Sequence, residues 1–185
     1  MKTLTIHLIS VIFLFSCQNK PQPTSGNQVV TTIVDSPAAH SEMYDDESSI
    51  DTEDAVTWLT EVIETHFNEG VYPMEDICTP KYYEYKMDAI QVGYDGGMNE
   101  EVFNKKWSSD FDIEHAGRGT GFLISGQDWG TLKVTKCTPI SDGKKGFLML
   151  NVTIEDKELK STYHRDIKIV PVGKAYLIDD VVEYD

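Results

Sequence analysis

The chain has 185 residues, with 31 Asp and Glu against 16 Lys and Arg and a formal net charge of −15 at pH 7. That excess opposes binding to nucleic-acid phosphates, whose affinity comes largely from Lys and Arg. It equally opposes electrostatic docking on anionic lipid. Neither a nucleic-acid partner nor a charge-driven membrane role is expected.

Residues 1–16 read as a secretion signal. Lys2 supplies the charged start, the run from Leu4 to Phe15 is apolar, and Ser16 is small. A stretch of that length with those flanks is too short for a stable span. Leu14-Phe15-Ser16-Cys17 resembles the bacterial lipobox, with an aliphatic residue three before the cysteine and a small one just before it; Phe15 is bulkier than the usual occupant. The resemblance implies cleavage before Cys17, a diacylglycerol on its sulfur and an acylated new amine. Several acyl chains anchor durably where one chain binds only marginally. Gln18 after Cys17, by resemblance to enteric sorting rules, points to the outer membrane. The expected location is the cell envelope, with the membrane as partner through the lipid.

Residues 17–49 read as the lipidated N-terminus and a flexible tether. The stretch from Gln18 to Gln28 is polar and Pro-rich, and Ser41 to Ser49 is an acidic tract. Such segments cannot bury enough apolar surface to offset their ordering entropy. A coil of this length has a reach of roughly 30 Å.

Residues 50–185 read as one domain. Asp51 or Thr52 caps a first helix with Glu53 and Asp54 in its opening turn. Ala55, Leu59, Val62, Ile63, His66 and Phe67 share a face, and Gly70 with Pro73 ends it. Thr79 caps a second helix with Pro80 in its first turn, running to the Asp95-Gly96-Gly97 break. A third starts at Asn99 and turns Phe103 and Trp107 inward. After residue 118 the period becomes two. Strands are expected at Thr120–Ser125, Leu132–Thr138, Gly146–Glu155, Leu159–Val170 and Ala175–Glu183, separated by Gly- and Asp-rich breaks. Helices followed by a strand meander predict an α+β domain, three helices packed on a curved antiparallel sheet of four to five strands.

That element order resembles the cone-shaped fold shared by nuclear transport factor 2 and ketosteroid isomerase. The stretch Gly121-Phe122-Leu123-Ile124-Ser125-Gly126-Gln127-Asp128-Trp129-Gly130 is similar to a "Phe-Leu-x-x-Gln-Asp-Trp" segment of a family of cone-fold lipoproteins and periplasmic proteins of Bacteroidetes. Ala175-Tyr176-Leu177-Ile178-Asp179-Asp180-Val181 is similar to that family's "aromatic-x-Ile-Asp-Asp-Val" ending. The resemblance covers roughly residues 50–185 and implies a fold; the family has no assigned activity to carry over, and fold alone licenses no chemistry.

A bent sheet under helices implies a pocket lined by alternate strand residues. The candidates for its lining are Asp128, Trp129, His164, Arg165 and Asp180, with Trp58, Tyr83 and Trp107 from the helices. Asp128 can act as acid or base beside a Trp129 platform, or serve the turn while Trp129 packs an edge. Asp179 and Asp180 alternate, so one of them reaches the pocket, where a buried carboxylate would gain a raised pKa. His164 and Asp166 share a strand face, as an oriented imidazole or as a cross-strand charge pair. His66 reads as a core-edge histidine. The carboxylates of Asp110, Asp112 and Glu114 lack the remaining oxygens, turn Gly and closing Glu of a calcium loop, so no metal is expected. Neither is a cofactor. Cys78 and Cys137 either pair in an oxidising compartment or stay as free thiols. Two functions fit: a non-catalytic binding or accessory lipoprotein, holding a small ligand or a protein partner and dimerising through the sheet face, or a small-molecule isomerase or hydrolase using a pocket carboxylate.

Overall fold

A computed structural model describes residues 50–184. The expected signal segment, Cys17 and the expected tether lie outside the described residues.

Helix α1, Thr52–Glu69, begins where the Asp51 carboxylate accepts the amides of Glu53 and Asp54 at 3.0 and 3.1 Å. It stops at Gly70, whose φ of 68° is left-handed and suits a residue without Cβ. Its apolar face buries Ala55, Leu59, Val62, Ile63 and Phe67. A short helix that the sequence pattern does not signal, α2, spans Met74–Ile77. Helix α3, Pro80–Gln91, starts at the Thr79 cap, and α4, Glu100–Trp107, at the Asn99 cap. A single 3₁₀ turn follows at Ile113–His115.

Four strands form one antiparallel meander: β1 Leu132–Pro139, β2 Leu148–Asp156, β3 Ser161–Val172 and β4 Ala175–Glu183. Strand β2 alternates without a fault, with Leu148, Leu150, Val152 and Ile154 inward. In β3 the inward set is Tyr163, Arg165, Ile167 and Ile169. Bulges interrupt the register at Thr135 in β1 and at Asp179 in β4. The α+β class and the antiparallel sheet therefore stand as expected, with four strands.

The fifth expected strand, Thr120–Ser125, is irregular chain instead. Phe122, Leu123 and Ile124 are consecutively buried, which no strand with one wet face allows. Leu123 has a φ of 60°, outside extended geometry. Its carbonyl accepts from the Arg165 guanidinium rather than from a neighbouring strand.

Both sheet edges carry local covers. On β1 the Asn68 amide takes both backbone groups of Leu132 at 2.9 Å, and Glu64 accepts from Val134 N at 3.0 Å. On β4 the Thr79 amide donates to Ile178 O at 2.8 Å, and the Thr79 hydroxyl donates to Asp179 at 3.0 Å. Such contacts occupy groups that would otherwise template another strand. Between helices and sheet lies the core, including an aromatic cluster in which Tyr85 stacks on Phe111 at 4.1 Å and meets Phe103 and Trp107 at 5.6 Å.

Candidate functional site

Among the described residues, three of the four buried charged ones meet where α3 packs on the sheet, the fourth being Asp156 at the end of β2. Lys86 on α3, Arg165 on β3 and Glu183 on β4 are all buried. Lys86 Nζ donates to the carbonyls of Ala116 and Gly117 at 3.0 and 3.3 Å and forms an ion pair with Glu183. Arg165 faces the same carboxylate at 3.7 Å. Its guanidinium also donates to Leu123 O at 3.0 Å, His164 O at 2.7 Å and Ser125 Oγ at 3.2 Å. Charges survive such burial only when paired and hydrogen-bonded. Gly117 closes the cluster: its φ is +58°, and a Cβ there would stand 2.1 Å from Glu183 Oε2. The cluster fixes the irregular 116–125 segment to the sheet.

A polar cleft of about 350 Å³ opens above this cluster, lined by Glu114, His115, Arg118, Thr120, Ser125 and Glu183. Its cations and anions are largely committed to one another. Arg118 donates to Glu100 at 2.6 Å and to Asn104 at 3.3 Å. His115 Nδ1 is 2.9 Å from Asp112, and that imidazole is the first cause holding the Asp112 carboxyl below its usual range.

A second cleft, of about 270 Å³, has a different character. Val62 and Ile77 form its buried floor, Trp58, Tyr72 and Tyr176 its aromatic walls, and Glu61 and Asp76 its charged margin. Trp58 and Tyr176 lie 5.6 Å apart with tilted planes. The Tyr176 hydroxyl donates to Asp54 at 3.2 Å. Tyr72 adopts a φ of 59°, uncommon for a side chain of its size, with its carbonyl 2.7 Å from His66 Nδ1, and the residue is 41% exposed.

The residues expected to share one pocket are dispersed, and none of Asp128, Trp129, His164, Asp180, Trp107 and Tyr83 lines either cleft. Asp128 is exposed in the loop before β1. Trp129 sits edge-on to Phe67 at 5.3 Å and donates its indole N–H to Phe67 O at 3.1 Å, so it packs the end of α1. His164 is exposed on the outer sheet face, because the β3 parity that buries Tyr163 and Arg165 turns it out. Its neighbour Asp166 joins a polar chain across that face, from Lys136 to Asn151 at 2.8 Å, to Asp166 at 2.7 Å and on to Tyr184 at 2.7 Å. Trp107 belongs to the aromatic core and donates to Asp88 at 2.9 Å. Tyr83 lies on the outer side of α3, with Glu75 as its partner at 3.4 Å. Of the helical candidates, Trp58 alone reaches a cleft.

Asp180 is half-buried, and burial pushes its carboxyl up to about 6. One oxygen accepts from Val181 N at 2.8 Å. The strict alternation expected of Asp179 and Asp180 fails at the bulge, and Asp179 instead bonds Thr79 and Lys168. The nearby Tyr82 hydroxyl is fully buried without a hydrogen-bond partner among the described residues, and burial first, then Cys78, Glu183 and Asp180, raise it far above the ordinary phenol range. Cys78 and Cys137 are free thiols. Cys78 adjoins β4 through its bridge to Ile178, while Cys137 lies on β1 at the far side of the sheet, so they cannot pair. Asp110 is tied to Lys81, and the described residues contain no group of three or more His, Cys, Asp or Glu placed to hold a metal.

The buried triad was invisible to motif reading but not to periodicity. Lys86 falls on the apolar face of α3 with Tyr82, Tyr85 and Ala89, and Glu183 follows the inward parity of Val181. A charge at a core position is the signal.

No family model, curated protein or solved structure matches this chain.

Proposed function

We propose that this chain is a lipid-anchored cell-envelope protein whose domain, carried on a tether, is a non-catalytic binding module with a cone-like fold. The Leu14-Phe15-Ser16-Cys17 segment supports the anchor. The helices on one face of a four-stranded meander, with bulged outer strands, support the cone reading. The carrying observation is the charged cluster in the interior. Where a cone enzyme would keep a substrate cavity, Glu183 pairs with both Lys86 and Arg165, and both cations also bond the backbone. Recognition is thereby left to the surface clefts, of which the aromatic one has the concave, largely apolar lining with few polar groups that ligand sites favour.

Anchoring is tested in a bacterial host fed a labelled fatty acid. The native chain takes up label, while Cys17→Ser takes up none. A native chain that takes up no label, or a Cys17→Ser chain that is labelled as strongly, overturns the anchor.

An isomerase or hydrolase reading draws on one observation, the Asp180 carboxyl lifted to about 6, a range suited to general acid–base work. Asp180 lines neither cleft, so the binding reading is preferred.

A further inference from the structure

The cleft between α1, α2 and the start of β4 joins three features with separate origins. Trp58, Tyr72 and Tyr176, contributed by three different parts of the chain, line it. Its margin carries Glu61 and Asp76, and neither takes part in an ion pair among the described residues. One wall is in an unfavourable backbone conformation: Tyr72 holds φ 59° while His66 grips its carbonyl. Non-glycine residues in that region persist where the surroundings over-determine them, often at ligand sites.

We propose that this cleft binds a small organic cation through an alkylammonium group. The chemistry follows from the walls. An ammonium seated against aromatic faces is attracted by the ring quadrupoles, most strongly by Trp. Glu61 and Asp76 supply the opposite charge at the margin, and Asp54, held by the Tyr176 hydroxyl, adds a third carboxylate behind that ring. The carboxylates elsewhere on this acidic chain are often answered by Lys or Arg: Glu84 and Asp88 by Lys106, Asp110 by Lys81, Glu100 by Arg118. Glu61 and Asp76, like other exposed carboxylates such as Glu101 and Asp128, have no such partner among the described residues, so their charge is open to a ligand. The net charge of −15 steers cations toward the surface and repels anions. Val62 and Ile77 give the methyl or methylene groups of such a ligand a dry floor.

The proposal rests on the reading of the chain as an anchored binding module, and its failure is distinguishable from failure of the anchor. The full-length chain is titrated with choline and, in parallel, with 3,3-dimethylbutanol, which has the same shape without the charge. The readout is the indole N–H resonance of Trp58, with those of Trp107 and Trp129 as internal controls. Choline shifts the Trp58 signal and leaves the other two in place, and the neutral isostere binds about tenfold more weakly or less. Glu61→Gln with Asp76→Asn, both exposed positions, lowers choline affinity by a similar factor and leaves the NMR spectrum of the core unchanged. Equal binding of choline and its isostere would show a merely apolar cleft and overturn the proposal. So would a stronger response of Trp58 to a neutral hexose, which would make the aromatic walls a sugar platform. No response to choline at millimolar concentration also overturns it, while fatty-acid labelling at Cys17 would still hold for the anchored chain.

Discussion

Lys86, Arg165 and Glu183 stand where period and parity call for apolar side chains. Their interdependence makes the effect of each substitution depend on what it leaves behind. Lys86→Met removes one cation and leaves the Arg165–Glu183 pair. Glu183→Gln leaves two buried cations without their carboxylate. Stripping one partner from a buried pair costs about 3–5 kcal/mol. Urea unfolding should therefore show a loss of that order for Glu183→Gln and a smaller one for Lys86→Met. Equal losses, or the reverse order, would mean that the carboxylate is not the centre of the cluster. Asp180 gives the second residue-scale prediction. Its folded pKa of about 6 lies above the ordinary 3.8, so the folded state binds the extra proton between those values. Its contribution is most favourable below about pH 4, declines as pH rises toward 6, and is a constant penalty of up to about 3 kcal/mol above that. Asp180→Asn, whose amide oxygen can keep the Val181 bond, should raise the Tm at pH 7.5 and leave it nearly unchanged at pH 3.5. A variant less stable at pH 7.5 would contradict the burial argument. The raised Asp180 carboxyl was legible as a carboxylate on a half-buried strand; the triad was not, because the sequence shows a charge but not which neighbours will face it.

At the scale of elements, legibility followed the strength of local signals. Asp51, one of the two expected caps, Thr79, and Asn99, the expected start of the third helix, each satisfy an amide of a first turn, because capping depends on neighbours two or three residues away. Strand β2 was equally plain, its alternation set by one dry and one wet face. The segment 120–125 was misread because its apolar composition is that of a strand while its hydrogen bonds are tertiary. Its carbonyl partner, Arg165, lies forty-two residues away, and no local pattern reports that. Helix α2 escaped for a related reason: four residues are too few to display a helical period, and the turn is held by its place between Pro73 and β4. The bulge at Asp179 shows the same limit from the other side. Alternation predicts opposite faces for consecutive residues only while the ladder is regular, and one inserted residue cancels the inference. The pocket candidates dispersed for this reason as well. Their strand parity was readable for His164 and Arg165, but which face the helices would cover, and that the covered face would be filled, depends on packing across the whole domain.

For the molecule as a whole, the two free cysteines show what holds the domain together. Strand order places β1 and β4 at opposite edges of the sheet, three strand spacings apart. At about 4.8 Å per spacing that is roughly 14 Å, against the 4.4–6.8 Å between Cα atoms that a disulfide spans. Cys78, next to β4, is 2% exposed, and burial pushes its thiol far above the usual range. Cys137, on β1, is only half-buried; burial raises its pKa too, partly offset by a hydrogen bond with Thr60. Thiolate, not thiol, is the reactive form, so both should react slowly and Cys78 the more slowly. Iodoacetamide applied to the native chain should modify Cys137 first and spare Cys78 until the domain is unfolded. After denaturation without reductant, both should be labelled to the same extent as with reductant. A peptide joining Cys78 to Cys137 in a non-reduced digest would show that the strand order is wrong or that the chain rearranges to close the bond. Free thiols are also physically consistent with the size of the domain. About 135 residues bury a core large enough to fold without a cross-link, and here that core runs from the aromatic cluster beneath α3 and α4 to the inward faces of β2 and β3. With its covalent staples unformed, the domain depends on that packing and on the buried triad, which is why the triad variants and the alkylation pattern probe the same architecture from its two sides.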